Sequence, residues 1–257
     1  MTAGARLRVD RISLHFGGLA ALDDVAFTVG GGICGLIGPN GAGKTTLLNV
    51  VSGVLPPSRG DIFLDERPTT GLPPHRLAAL GVARTFQNVR LFGELSVLDN
   101  VRLGYHLHQH STLLETVLRL PRARREERAS AAAALALLDR LGLAPLATAA
   151  ASALAYGDQR RVEIARALAL EPRLLLLDEP AAGLNAAESE QLGDFLGHLR
   201  AQGLTLLLVE HDMDLIMRVC DHIVVLNFGR KIAEGPPAVV RGDRRVIDAY
   251  LGEEEPA

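Results

Sequence analysis

Ile33-Cys34-Gly35-Leu36-Ile37 runs without a break into Gly38-Pro39-Asn40-Gly41-Ala42-Gly43-Lys44-Thr45, and helix-forming residues follow from Thr45 to Ser52. A short buried strand, a glycine-rich turn of fixed length ending in Lys-Thr, and a helix together make a phosphate-binding loop, G-x-x-x-x-G-K-[ST]. The glycines remove Cβ atoms and admit left-handed backbone, which turns successive N–H groups towards phosphate oxygens. The helix N-terminus adds partial positive charge. Lys44 is spaced to reach the β- and γ-phosphates, and the Thr45 hydroxyl is a ligand for the Mg²⁺ that accompanies a nucleotide, with Thr46 beside it on the first turn. A nucleoside triphosphate is the expected ligand. A merely structural glycine turn would not require all eight positions in this setting.

The remaining composition narrows the class. A chain of 257 residues, 48% hydrophobic and 22% charged, is long enough for one large α/β core with a subdomain. A net charge of −3 gives no basic footprint, so no nucleic-acid partner is expected. Met1 to Asp10 has no signal-peptide core, and no apolar run approaches the roughly 18 residues of a membrane span. The chain is expected to be cytosolic or peripheral to a membrane. Its two cysteines, Cys34 and Cys220, form no disulfide framework and read as reduced core residues.

Alternating apolar residues predict strands over 7–14 and 25–29, a β-layer flanking the nucleotide core, with further strands at 62–64 and 82–86. Beyond Leu91 the pattern becomes helical, with a charged stretch at 122–128 and an alanine-rich run at 129–141. Strand and helix alternate again from a helix at 158–170: strand 174–177, helix 187–201, strand 204–209. That alternation predicts a mostly parallel sheet. After Val225 only short elements are expected. The division is a first core part over 1–92, a helical subdomain over 93–152 and a second core part over 153–257.

Leu174-Leu175-Leu176-Leu177-Asp178-Glu179 is an apolar strand ending in two carboxylates. Beside a phosphate-binding loop, the first carboxylate suits Mg²⁺ and the second suits activation of the attacking water. His106, His108 and His110 alternate in a polar stretch; without a nearby cysteine or carboxylate cluster they read as a solvated face rather than a metal site.

Leu154-Ala155-Tyr156-Gly157-Asp158-Gln159, followed by Arg160-Arg161-Val162-Glu163, resembles the signature segment of the ATP-binding cassette (ABC) ATPases, and lies between the phosphate loop and the Leu-Asp-Glu-Pro strand as in that family. The resemblance implies an adenine-stacking role for Phe16. It implies a Mg²⁺- and water-sensing role for Gln87, which opens a loop facing a membrane partner; the apolar Leu91 and Phe92 of that loop are expected either to line a groove for a permease helix or to pack between the two subdomains. Ala182-Gly183-Leu184-Asn185 matches the loop that crosses the dimer interface, and His211 matches the switch histidine on the γ-phosphate. The family signature is Leu-Ser-Gly-Gly-Gln, so Ala155, Tyr156 and Asp158 depart from it and one hydroxyl contact is missing. Gly157 and a helix starting near Asp158 retain backbone donors. Asn185 replaces the usual aspartate.

Those departures, with Phe16-Gly17-Gly18-Leu19, Glu210-His211-Asp212-Met213, Ala249-Tyr250-Leu251-Gly252 and a long helical insert, resemble the LivG-type ATPases of branched-chain amino acid importers. Urea or short-chain amide importers and lipopolysaccharide exporters are the alternatives within the branch. The resemblance implies ATP and Mg²⁺ as cofactors and two transmembrane permeases as partners. It also implies a second ATPase subunit, usually distinct but possible as an identical copy, with an extracytoplasmic solute-binding protein acting indirectly. The location implied is the cytoplasmic face of the membrane. A GTPase is disfavoured because no guanine-reading Asn-Lys-x-Asp sequence occurs. A non-transport ABC protein is disfavoured because there is no second cassette or long coiled coil.

Overall fold

The computed structural model describes residues 6–87, 89–108, 111–118 and 120–251. In chain order the elements are β1 (Leu7–Phe16), β2 (Leu19–Val29), β3 (Ile33–Ile37), α1 (Lys44–Val51), β4 (Arg59–Leu64), β5 (Arg67–Pro68), α2 (Pro74–Ala79) and β6 (Val82–Arg84). There follow α3 (Val97–Gly104), α4 (Leu113–Val117), α5 (Pro121–Arg140) and α6 (Tyr156–Leu168). The chain then adds β7 (Leu174–Asp178), α7 (Ala186–Ala201), β8 (Thr205–Val209), α8 (Met213–Val219), β9 (His222–Asn227), β10 (Arg230–Gly235), α9 (Pro237–Arg241) and α10 (Arg244–Leu251).

The described residues of Met1–Gln87 and Arg173–Ala257 form one compact unit, and those of Asn88–Pro172 another. The first unit holds a six-stranded sheet of order β10-β9-β3-β8-β7-β6 and a four-stranded sheet of order β2-β1-β4-β5. Every residue of β3, β7 and β8 is buried. Such unbroken apolar strands belong in a parallel sheet covered on both faces, and β9-β3-β8-β7-β6 are parallel throughout. The other sheet pairs antiparallel, with Leu7 opposite Val29 and Leu64. Its buried Leu7, Val9, Ile12, Val25 and Phe27 share one core with Leu36 and Leu47.

After Val225 the chain forms the end of β9 and three short elements, β10, α9 and α10. Ile223-Val224-Val225-Leu226 is a fully buried aliphatic run inside β9, and β10 returns antiparallel at the sheet edge. Cys34 and Cys220 are free and buried; burial pushes both thiols up, Cys220 to about 12, so both stay protonated and unreactive at neutral pH.

In the second unit α3 packs against α5 and α6. The unit's limits differ from the sequence division, because α6 belongs here rather than with the second core part. The reason is packing: Gly104 of α3 lies so close to α6 that a Cβ there would sit 2.3 Å from the Arg166 carbonyl oxygen.

Candidate nucleotide-binding site

The phosphate-loop pattern occupies the turn between β3 and α1. Gly38 has φ +147°, and a Cβ there would come within 2.1 Å of the Leu226 carbonyl oxygen; Gly43 has φ +100°, with the Ala21 oxygen 2.7 Å from its Cβ position. Both positions thus demand glycine on conformational and steric grounds. The loop is closed by Ala42 N–H donating to Pro39 O at 3.2 Å, and Leu47 N–H donates to Gly43 O at 2.9 Å as the helix begins. The N–H groups of Lys44, Thr45 and Thr46 belong to the first helical turn, at the positive end of the α1 dipole. Lys44 is buried, and its ammonium donates to the carbonyls of Gly38 (2.5 Å) and Pro39 (2.8 Å). An open cleft of about 500 Å³ is lined by Asn40 to Thr46, Phe16, Leu19 and Glu179, with Phe228 and Gly229 from the β9–β10 turn.

The carboxylates stand where β7 ends, among the C-terminal ends of the parallel strands, the usual ligand edge of such a sheet. Asp178 is buried and accepts from Arg84 Nη2 at 2.9 Å. The other guanidinium nitrogen, Nη1, donates to Asn49 Oδ1 (2.7 Å) and Ser52 Oγ (2.8 Å), so Arg84 ties the end of β7 to α1. Glu179 has φ +47°, left-handed backbone that is rare for a non-glycine residue. Its N–H donates to Val209 O at 2.9 Å, and its Oε2 accepts from Gln87 Nε2 at 2.8 Å. Thr45, Asp178 and Gln87 can each offer a hard oxygen ligand of the kind that Mg²⁺ prefers, and the cleft-lining Thr45 is an exposed residue.

Glu210, fully buried after β8, accepts from Ala181 N–H (2.6 Å) and His211 N–H (3.1 Å). Burial raises its carboxyl above the ordinary range. It thereby fastens the segment after Glu179 to the segment carrying His211, whose own side chain is 63% exposed. Asn185 caps α7 in a reciprocal arrangement with Glu188: its side chain accepts from Glu188 N–H, and Glu188 accepts from Asn185 N–H, each at 3.0 Å. An asparagine caps a helix about as well as the aspartate it replaces.

The signature segment lies in the second unit. Its helix starts at Tyr156, earlier than the expected Asp158, so Ala155 is the N-cap and provides no side-chain acceptor. The missing hydroxyl is therefore also a missing cap. Ala155 and Tyr156 are exposed, Gly157 is buried, Leu154 accepts from Gln159 Nε2 at 2.9 Å, and Asp158 accepts from Arg161 at 3.3 Å. Two backbone clamps lie nearby in the same unit. Buried Glu163 accepts from Arg90 N–H (3.2 Å) while Arg166 donates to Arg90 O (2.6 Å); buried Asn100 accepts from Phe92 N–H (2.9 Å) and donates to Phe92 O (3.0 Å). The Phe92 side chain is nevertheless 58% exposed.

Phe16, Asn40 to Thr46 and Glu179 thus meet at one cleft, with Gln87 hydrogen-bonded to Glu179. Gly38 and Pro39 lie beneath Lys44, and Asp178 is held by Arg84. Sequence reasoning missed Arg84, Asn100, Glu163 and Phe228, and gave Glu210 no role. Polar residues closing the apolar strands β6 and β8 were the available signal for Arg84 and Glu210. Of the three alternating histidines, His110 lies outside the described residues; among those described, no cluster of metal-ligating side chains occurs.

A phosphate loop on a parallel core, an antiparallel flanking sheet and a helical unit carrying the signature segment define an ATP-binding cassette. The ABC transporter family model matches residues 22–182, and a model described as branched-chain amino acid ATP-binding cassette transporter matches residues 230–256. The high-affinity branched-chain amino acid transport ATP-binding protein BraF of Pseudomonas aeruginosa is 45% identical over 96% of this chain and 98% of its own. LivG of Escherichia coli, of the same description, is 44% identical over the same shares, and the lipopolysaccharide export system ATP-binding protein LptB of Escherichia coli is 34% identical over 97% and 98%. Among solved structures, a nucleotide-free ATP-binding cassette from an ABC transporter superposes with a TM-score of 0.83 at 32% identity, over 96% of this chain and 98% of that one. The chain belongs to the ABC transporter ATPases, in the branch of the branched-chain amino acid transport ATP-binding proteins. Among the described residues no helix is long and apolar enough to cross a membrane.

Proposed function

We propose that this chain is the ATP-hydrolysing motor subunit of an importer for branched-chain amino acids. The observation that carries the reading is the near full-length match to transport ATP-binding proteins of that description, with a lower identity to the lipopolysaccharide export protein. In this reading Lys44, the loop N–H groups and the start of α1 hold the triphosphate, and Phe16 stacks on adenine. Thr45, Asp178 and Gln87 would hold Mg²⁺. When bound there, Mg²⁺ would supply neutralisation of the triphosphate's negative charge. Glu179 accepts the proton of the attacking water, Gln87 orients that water through its contact with Glu179, and His211 reaches the γ-phosphate. Asp178, although buried, has a charged partner in Arg84, 2.9 Å away. Two ATPase subunits close face to face, so that Leu154 to Asp158 of one, together with the Asn185 loop, completes the site of the other.

The partners proposed are two transmembrane permeases, met through Leu91 and Phe92, and a second ATPase subunit that is distinct or an identical copy. An extracytoplasmic binding protein selects the solute, and the chain sits at the cytoplasmic face. Reconstitution with branched-chain amino acid permeases and binding protein in liposomes tests this. Leucine-loaded binding protein should raise ATP hydrolysis and drive leucine uptake. Stimulation by a urea- or amide-binding system instead, with no response to leucine, would move the chain to that neighbouring branch.

A further inference from the structure

Phe228 is the most exposed large apolar side chain among the described residues, at 85%, and its φ of +44° is left-handed. Either property alone is unfavourable. A bulky side chain at positive φ strains the backbone, and an exposed phenyl gains nothing from packing. Such strain persists where surrounding structure enforces it, and it gathers at ligand sites.

The enforcement is visible in the turn between β9 and β10. Gly229 N–H donates to Ala42 O of the phosphate loop at 3.1 Å, and Asp23 N–H of β2 donates to Gly229 O at 2.8 Å. Arg230 Nε donates to Asp23 Oδ2 at 2.9 Å. The turn is therefore fastened to both the phosphate loop and the antiparallel sheet. Phe228 lines the same cleft as Phe16 (50% exposed) and Leu19 (68% exposed), so two turns from two different sheets bring apolar side chains to one cleft.

We propose that Phe228 is a second aromatic contact for the purine base, acting with Phe16, so that rings from two separate turns hold the base. The proposal rests on the reading of this cleft as the ATP site. An aromatic face binds a base by stacking whatever its hydrogen-bonding edge, so the contribution is to affinity for the nucleoside and not for the phosphates.

The test compares ATP with inorganic triphosphate, each with Mg²⁺, by equilibrium binding to the full chain. Phe228→Asn removes the ring while keeping a residue that accepts left-handed backbone, and Phe228→Tyr keeps the ring. Phe228→Asn should weaken ATP by about tenfold and leave triphosphate affinity unchanged, while Phe228→Tyr should retain wild-type ATP affinity. Unchanged ATP affinity in Phe228→Asn would overturn the proposal, leaving the ring for a protein partner. Equal losses for ATP and triphosphate would also overturn it, because the turn would then act only through its hydrogen bond to the phosphate loop. If the wild-type chain binds triphosphate as tightly as ATP, the reading of the cleft as a base-binding site fails first, and Phe16→Ala would then be equally silent.

Discussion

Gln87 Nε2 lies 2.8 Å from Glu179 Oε2, joining the loop after β6 to the residue that follows β7. An amide held against a carboxylate fixes that carboxylate's rotamer and leaves its other oxygen free of this contact. In an ATPase this suits a group that must accept a proton from a water held near the γ-phosphate.

Glu179→Gln should therefore lower ATP turnover by about a hundredfold or more, the scale of general-base catalysis, while ATP binding remains. The substituted amide still offers an oxygen to Gln87, so the loss reports charge and not geometry. Turnover is measured in the assembled transporter with the partner ATPase site inactivated. Near wild-type hydrolysis there would remove Glu179 from the chemistry.

Ala155→Ser restores an N-cap hydroxyl able to accept from the N–H of Asp158, three residues on. The expected gain is about 1 kcal/mol, or roughly 2–4 °C in thermal midpoint for a chain of this size. ATP-driven pairing of the ATPase subunits should strengthen as well, because the same hydroxyl faces the γ-phosphate of the opposing site in the proposed dimer. Thermal unfolding and ATP-dependent sedimentation check the two effects, and an unchanged midpoint would show that the backbone at Ala155 already satisfies the helix start.

The phosphate loop, the parallel core strands and the paired carboxylates were legible because each is a local pattern. Ile33 to Thr45 fixes strand, turn and helix together, and Leu174 to Glu179 announces its own end. Arg84 was not legible. Its partners Asn49, Ser52 and Asp178 are distant in sequence and meet it only once β6 lies beside β7. Asn100 and Glu163 were hidden for a similar reason: a polar residue on a helix declares no role until the backbone it clamps is known. The placement of α6 was missed because its apolar pattern shows that a face is buried, not which unit buries it.

Phe92→Ala should leave stability within about 0.5 kcal/mol, as for an exposed side chain, yet reduce permease-stimulated hydrolysis and transport. Asn100→Ala provides the contrast, since it removes the acceptor of the Phe92 N–H, although the Phe92 carbonyl keeps the Leu95 N–H, and a donor left unpaired costs about 1–3 kcal/mol. If Phe92→Ala destabilises the isolated chain as much as Asn100→Ala does and assembles normally once folded, Phe92 belongs to the packing of the helical unit and not to a permease groove.

Glu163 gives a pH dependence of defined sign. Burial raises its carboxyl above the ordinary 4.5, outweighing the opposing effects of the Arg90 N–H and of Arg160 and Arg166. Below that value both folded and unfolded chains hold the proton, and the contribution to stability is fully present. As pH rises the unfolded chain ionises first, so this contribution falls until the folded carboxyl has ionised too. Glu163→Gln mimics the protonated form and cannot ionise. Its urea midpoint should therefore match wild type near pH 4 and exceed it at neutral pH, even though the arginine pairing is lost. A variant midpoint that drops below wild type as pH rises would mean that pairing with Arg160 and Arg166 outweighs the cost of burying the charge.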